Sequence, residues 1–300
     1  MALVVADTLE QAEYAASLVR IEYIQEPARL DFADAVARAV PPAAGLRPDS
    51  TTPADTRRGD PDRAFADAAA RLDVQYRIAR QQHNPMEPHA TIARWDDDSL
   101  TLWDKTQWVG NVRDELAAVF GIAPEKVHVI SPFVGGAFGT TLRAWPHVTL
   151  AALAARQVGR PVKLVLTRRQ MYYGTGYRPE TLQRVAMGAS GEGQLVAIIH
   201  EGTAETSTYE EYVERLLEPS RFLYSCPNVA TSYRLARLNV HTPIYMRGPG
   251  VASGIFALEC ALDELAYQLL IDPVQLRLLN EPEKDEHTGQ PFSSRSAREC

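Results

Sequence analysis

The 300-residue chain, with 45% hydrophobic and 23% charged side chains, has the composition of a globular protein of one large or two modest domains. Its net charge of −7, without any basic stripe, gives a nucleic-acid role no electrostatic support. No apolar run approaches the roughly 20 residues of a membrane helix, and Cys226, Cys260 and Cys300 are too scattered for a disulfide framework, a zinc site or an iron–sulfur cluster.

Along the chain, Ala2 to Ala6 reads as a first strand, Thr8 and Gln11 as a capping box for a helix carrying Leu9, Ala12, Ala16 and Val19, and Ile21 to Tyr23 as another strand. A strand at residue 2 suggests a start inside a larger protein. The N-terminus also lacks the basic start and cleavage site of a signal peptide. Residues 24–60 hold Pro27, Pro41, Pro42, Pro48 and Pro53 and read as a linker or surface excursion. Asp60-Pro61 predicts an N-cap and first-turn proline for a short helix through Ala70, which also accounts for the Arg58-Gly59-Asp60 triplet.

Beyond residue 72 the pattern mixes helix and strand. Alternation marks Leu72–Ile78, and strands are expected at 99–103 and 126–130 and, as a buried strand, at 162–167. Val112, Leu116, Val119 and Phe120 share one helical face, and a helix around Leu150–Ala154 should stop at Gly159-Arg160-Pro161. Gly191-Glu192-Gly193 predicts a hairpin between 185–189 and 195–200. The longest helix spans about 252–271, with Leu258, Leu262, Leu265 and Leu269 in one stripe, and no internal repeat is seen.

Three segments are costly in ordinary secondary structure. Gly135-Gly136-Ala137-Phe138-Gly139 permits positive φ and close backbone approach; its consecutive N–H groups could cradle an anion or oxo ligand, with Phe138 as an apolar wall. The plainer alternative is a strand-to-helix turn; neither a Walker loop nor a dinucleotide fingerprint fits. Met246-Arg247-Gly248-Pro249-Gly250 places a guanidinium and free N–H groups at the start of the long helix, where phosphate or oxyanion would be attracted, or else Arg247 only caps a turn. His83-Asn84-Pro85-Met86-Glu87-Pro88-His89 carries metal-ligand residue types, yet its prolines forbid a helical His pair, which favours a hydrogen-bonded structural loop.

Together with ALVVADTLEQA, NPMEPHATIARWD, VGGAFG, RPVKLVLTR, YSCPN, YMRGPG and FALECALDELA, these segments resemble the molybdopterin-binding large subunit of the xanthine dehydrogenase/aldehyde oxidase family over nearly the whole chain. The resemblance implies an α+β fold of mixed sheets with packed helices. It implies that residues 1–25 end an N-terminal α/β hammerhead domain, 26–80 connect, and 81–300 belong to the first molybdopterin-binding domain. It places Phe138 and Gly139 beside the molybdenum centre with Gly135, Gly136 and Ala137 in the same cofactor-binding loop, Gln107 on an apical oxygen, and Arg247 with Gly248 in the cofactor region. Arg215 would orient substrate. Thr141 and Leu142 stand where the xanthine branch carries Lys-Glu, and Pro249 stands where it is often aromatic, which argues against purines and for aldehyde-type substrates.

The implied activity is hydroxylation of an aldehyde or N-heterocycle with water. The cofactor is molybdenum–molybdopterin, plain or as the cytosine dinucleotide, and electrons pass to 2Fe-2S and FAD groups on partner subunits. No protein metal ligand, nucleic acid or membrane is implied. The location is cytoplasmic, or periplasmic if a partner or the true N-terminus carries an export signal. The family's catalytic glutamate would lie beyond residue 300, so the 300-residue piece should be inactive by itself. A second reading makes the chain a truncated or divergent non-catalytic homologue serving as a scaffold.

Overall fold

The computed structural model describes residues 2–43, 53–296 and 298–299. Its helices are α1 (Leu9–Leu18), α2 (Phe32–Val36), α3 (Pro61–Asp67), α4 (Val109–Phe120), α5 (Pro146–Val158), α6 (Arg168–Gly174), α7 (Pro219–Phe222), α8 (Val251–Leu269) and α9 (Pro273–Leu279). Its strands are β1 (Thr56–Arg58), β2 (Ala70–Ile78), β3 (Ala90–Asp96), β4 (Ser99–Asp104), β5 (Val127–Ile130), β6 (Val162–Val165), β7 (Thr181–Ala189), β8 (Leu195–Ser207) and β9 (Val229–Leu238). The expected α+β class with mixed sheets is what forms. The chain divides into two units interleaved in sequence: 1–28, 82–177 and 244–246 in the first, 29–81, 178–243 and 247–300 in the second.

The first unit is built on a four-stranded sheet in the order β5-β4-β3-β6. β4 pairs antiparallel with β3 and parallel with β5. Leu100 and Leu102, alternating on β4, are fully buried with Val112 and Leu116 of α4 and Ala151 and Ala152 of α5. Burying each leucine contributes about 1.5–3 kcal/mol. Gly121 and Gly159, at φ 64° and 62°, close α4 and α5 in the left-handed conformation that glycine adopts without strain. β6 corrects the expectation of a buried strand over 162–167. It is an edge strand ending at Val165, with only Val162 buried, because the helices cover one face of it. Thr167 then caps α6 in a capping box with Gln170.

At the start of the chain, Thr8 caps α1 as expected, accepting from Gln11 N. The strands expected at 2–6 and 21–23 do not form. Among the described residues neither segment has a partner strand, and an extended segment without a ladder leaves its backbone groups to water.

The second unit is built on a five-stranded sheet, β1-β9-β8-β7-β2. β7 and β8 form the expected hairpin around Gly191-Glu192-Gly193, with Gly193 at φ 89°. β8 and β9 run parallel, so residues 208–228 form a return crossover. α8 lays Leu258, Leu262 and Leu265 into a core with Val185, Met187, Ile198 and Val229, while Leu269 is half-buried. Asp60 caps α3 with Pro61 in its first turn, but the helix stops at Asp67, and Ala70 already opens β2. Within the supposed linker 24–60, β1 pairs with β9, and α2 packs Phe32 and Ala35 against Ala236 and Leu238 of β9. The linker reading of residues 44–52, Pro48 included, falls outside the described residues, as does Cys300.

Candidate functional site

In the first unit, β4 delivers the chain to a four-residue segment, 105–108, that leads into α4. The strand end is anchored inside: the Thr91 hydroxyl donates to the Asp104 carboxyl, which burial pushes up to about 6. Gln107 follows on the surface. Its Oε1 accepts from Gly139 N at 3.0 Å and from the Thr141 hydroxyl at 3.1 Å, and its backbone N–H donates to Thr141 O at 3.0 Å. Thr106 adds a hydroxyl bond to the same Thr141 carbonyl at 3.1 Å. The sequence-predicted glutamine and glycine loop are therefore brought together. With Oε1 committed to the protein, Nε2 is the end of the carboxamide that can donate to a ligand.

The glycine loop lies between β5 and α5. Gly135, Ala137, Phe138 and Gly139 all have positive φ (73°, 45°, 57° and 104°). For alanine and phenylalanine this costs about 1–2 kcal/mol each, because Cβ crowds the following carbonyl. Ala137 is buried, whereas Phe138 is 39% exposed, which suits it to an apolar wall. A Cβ on Gly139 would run into the Tyr245 carbonyl oxygen, and one on Gly136 would come within 3.0 Å of the Phe138 ring. Leu142 is half-buried just beyond the loop, its N–H on Gly139 O at 3.2 Å.

The expectation that successive loop N–H groups stand free to cradle an anion is corrected by this geometry. Ala137 N donates to Glu87 Oε1 at 3.1 Å, and Gly136 N–H faces the same carboxylate. Phe138 N donates to Gly136 O at 2.5 Å, Gly139 N to Gln107, and Thr140 N to Ala137 O at 3.2 Å. The loop offers a ligand its shape, the Phe138 ring and the adjoining Gln107 amide.

In the two-proline segment the Glu87 carboxylate turns to the glycine loop, accepting from Ala137 N. Among the described residues no group of three or more His, Cys, Asp and Glu is gathered closely enough to hold a metal ion. His83 Nε2 lies 2.8 Å from Tyr245 O, and the buried His89 ring is 5.6 Å from that of His147. Burial first, then the Lys105 charge, drives His89 down to about 2 and His147 to about 4, so both are neutral.

In the second unit, Arg247 is exposed, and its carbonyl accepts from the Arg178 guanidinium at 2.5 Å. Gly248 and Gly250 adopt φ of 67° and 78° around half-buried Pro249. The helix N–H groups expected to be free have partners. Gly250 N donates to Glu214 Oε1 at 2.8 Å, Ala252 N to Gly248 O at 2.9 Å and Gly254 N to Gly250 O at 2.8 Å. Glu214 is 1% exposed and also accepts from Ser253 at 3.3 Å and Tyr212 at 2.8 Å, so the start of α8 already carries a carboxylate. Arg215 lies beside this turn through its backbone: a Cβ on Gly250 would stand 2.5 Å from the Arg215 carbonyl. Its guanidinium pairs with Glu218 at 3.6 Å. Lys105 and Glu214 carry no local sequence signal for these contacts, whereas Glu87 carries one, as a carboxylate in a segment pinned by two prolines.

A conformationally costly glycine loop with an exposed phenylalanine thus stands next to a carboxamide on an α+β scaffold. The chain belongs to the molybdopterin cofactor-binding domain family, whose model matches residues 46–281. It is 41% identical, over its entire length, to the aldehyde oxidoreductase molybdenum-binding subunit PaoC of Escherichia coli K12, of which it covers 40%. It is 29% identical over 93% of its length to the nicotine 6-hydroxylase large subunit of Paenarthrobacter nicotinovorans, of which it covers 35%. Among solved structures, the aldehyde oxidoreductase of Desulfovibrio gigas superposes with a TM-score of 0.82 at 27% identity, covering 95% of this chain and 32% of that one. The quinoline 2-oxidoreductase of Pseudomonas putida 86, at 24% identity and a TM-score of 0.80, shares the fold, covering 96% of this chain and 38% of its own. The chain thus spans about two-fifths or less of the length of these proteins.

Proposed function

We propose that this chain is the molybdopterin-binding part of a molybdenum hydroxylase that oxidises aldehydes. The observation that carries the reading is the Gln107–Gly139 bond, which holds Oε1 inward at 3.0 Å and leaves Nε2 as donor beside exposed Phe138. That arrangement fits a cofactor that accepts an amide hydrogen bond beside an apolar ring. When bound, the group supplies two-electron oxidation of a carbon centre with water as the oxygen source. This chain's part is to bind and orient it: Gln107 by an amide hydrogen bond, Phe138 and Gly139 by contact, with Gly135, Gly136 and Ala137 fixing the loop. In the second unit, Arg247 and Gly248 as cofactor contacts and Arg215, with Pro249, as substrate-side residues rest on motif resemblance. In the first unit, Leu142 has the same standing.

The leucine and proline at 142 and 249 support aldehydes over purines. Iron–sulfur and FAD partner subunits, the cytosine dinucleotide form of the cofactor, a cytoplasmic location and the end of a hammerhead domain at residues 1–25 complete the proposal. No helix among the described residues is long and apolar enough to cross a membrane.

The test is metal and pterin content. The full-length gene product containing this chain, made in cells that synthesise the cofactor, should carry close to one molybdenum and one pterin per subunit and oxidise aldehydes but not xanthine. The 300-residue chain alone should show no turnover. Purified full-length protein that retains neither molybdenum nor pterin would overturn the reading.

A further inference from the structure

Glu87 and Lys105 occupy a place that no cofactor contact explains. The Glu87 carboxylate reaches the first half of the glycine loop, taking the Ala137 N–H at 3.1 Å, with the Gly136 N–H also directed at it. It fits so closely under Gly135 that a Cβ there would lie 2.6 Å from Oε2 and 2.7 Å from Oε1. Lys105 Nζ lies 2.9 Å from Glu87 Oε1. The lysine side chain is 8% exposed and the glutamate 30%, so the pair is better shielded from water than a surface ion pair.

Lys105 stands two residues before Gln107, on the same short segment after β4. The two ends of the glycine loop are therefore tied to one stretch of chain. Residues 136 and 137 are held through Glu87 and Lys105, and residues 139 and 141 through Gln107 and Thr106. Between the ties stand Ala137 and Phe138 in the left-handed region, which side chains other than glycine resist. A strained pair of residues persists only where its surroundings over-determine it, and these four groups tie the chain on either side of it. The Lys105 charge, which adds to burial in keeping His89 and His147 neutral, also holds the Glu87 carboxyl below its ordinary range.

We infer that Glu87 and Lys105 act as one positioning unit, clamping the loop 135–139 in its left-handed conformation against Gln107 and so setting the surface that receives the cofactor. The loop half of this inference stands on geometry, and the cofactor half rests on the function proposed above. Neither residue is a catalytic residue, because neither needs to touch cofactor or substrate. Removing either member should release the same loop, and removing both should do little more.

The experiment uses the full-length gene product with Glu87→Gln, Lys105→Met, the double variant and Lys105→Arg, each prepared with and without cofactor. Amide hydrogen exchange of peptides covering 133–142 is read on the cofactor-free protein, and molybdenum and pterin content on the loaded protein. Glu87→Gln and Lys105→Met should each speed exchange at 136–139 by tenfold or more while exchange in α8 is unchanged. They should lower molybdenum occupancy at least threefold, with the double variant no worse than either single. Lys105→Arg, which keeps the charge, should restore both readouts and would still test the clamp if a neutral variant failed to fold. Unchanged exchange at 136–139 overturns the inference, as does full occupancy in variants whose loop has loosened. A wild type without molybdenum fails the functional reading instead, and the exchange measurement then still decides the clamp.

Discussion

The two glycine-rich turns of this chain solve the same problem in opposite ways. Each puts positive-φ residues where helix or strand would be easier, and in each a carboxylate from a distant segment takes the turn's N–H groups: Glu87 for 136–137, Glu214 for Gly250. Glu87 is partly exposed, paired with a lysine, and leaves Phe138 open to solvent. Glu214 is sealed between Tyr212, Ser253 and the first turn of α8, and its own N–H donates to the Tyr233 hydroxyl oxygen at 3.1 Å. The difference teaches that a carboxylate bound to a glycine turn can be a positioning device or a structural cap, and that burial and counter-charge distinguish the two. It also shows why a glycine turn before a helix is not by itself an anion site, since the protein can supply the anion.

The comparison is most sharply broken at Glu214. Glu214→Ala leaves Gly250 N–H and two hydroxyls without their acceptor in a dry site and should cost about 3 kcal/mol or more. Thermal unfolding would measure it, and a loss below about 1 kcal/mol would mean that the cap is dispensable.

Acid should act next. Folding holds His89 at about 2 and His147 at about 4 in the first unit, and His200 at about 3 in the second, chiefly by burial. Below pH 6.5, their ordinary value, the unfolded chain takes up protons that the fold refuses, so stability is full above that pH and falls beneath it. Each histidine contributes a slope of about 1.4 kcal/mol per pH unit. Asp104, held up to about 6, binds its proton more tightly in the fold and offsets one of these slopes below that pH. Urea midpoints between pH 7.5 and 5 should therefore decline, and His89→Gln should flatten the decline; a flat wild-type profile would contradict the buried neutral imidazoles.

The smallest stability effect belongs to Gln107→Ala. It removes two part-buried hydrogen bonds and should cost about 1–2 kcal/mol, while turnover of the full-length protein falls at least tenfold. A large melting loss with an unchanged rate would make Gln107 a scaffold residue like Glu214.

Much of the fold could be read in advance where one signal dominated. The leucine stripe of α8, the Gly191-Glu192-Gly193 hairpin and the caps at Thr8 and Asp60 depend on neighbours within a few residues. β9 was harder to see, because Arg234 and Arg237 break its apolar pattern and its place beside β8 is a long-range parallel pairing. Residues 2–6 looked like a strand because apolar composition cannot say whether a partner exists. At the candidate site, motif spacing named Gln107 and Gly139, which the fold brings into hydrogen-bond contact. It did not name Lys105, because a lone lysine after a strand has no local signature, and its role appears only when Glu87, eighteen positions earlier, folds against it.

The parallel pairing of β8 with β9 has a consequence for how the second unit assembles. Because two parallel neighbours cannot be joined by a tight turn, the chain must travel back along residues 208–228 before β9 can start, and Glu214 rides on that return path. Its partner Gly250 N–H lies a further 36 residues along the chain. The seal over the first turn of α8 is thus a contact of high sequence separation, with a loop-closure entropy met only once the sheet exists, so α8 should dock as a late event in folding.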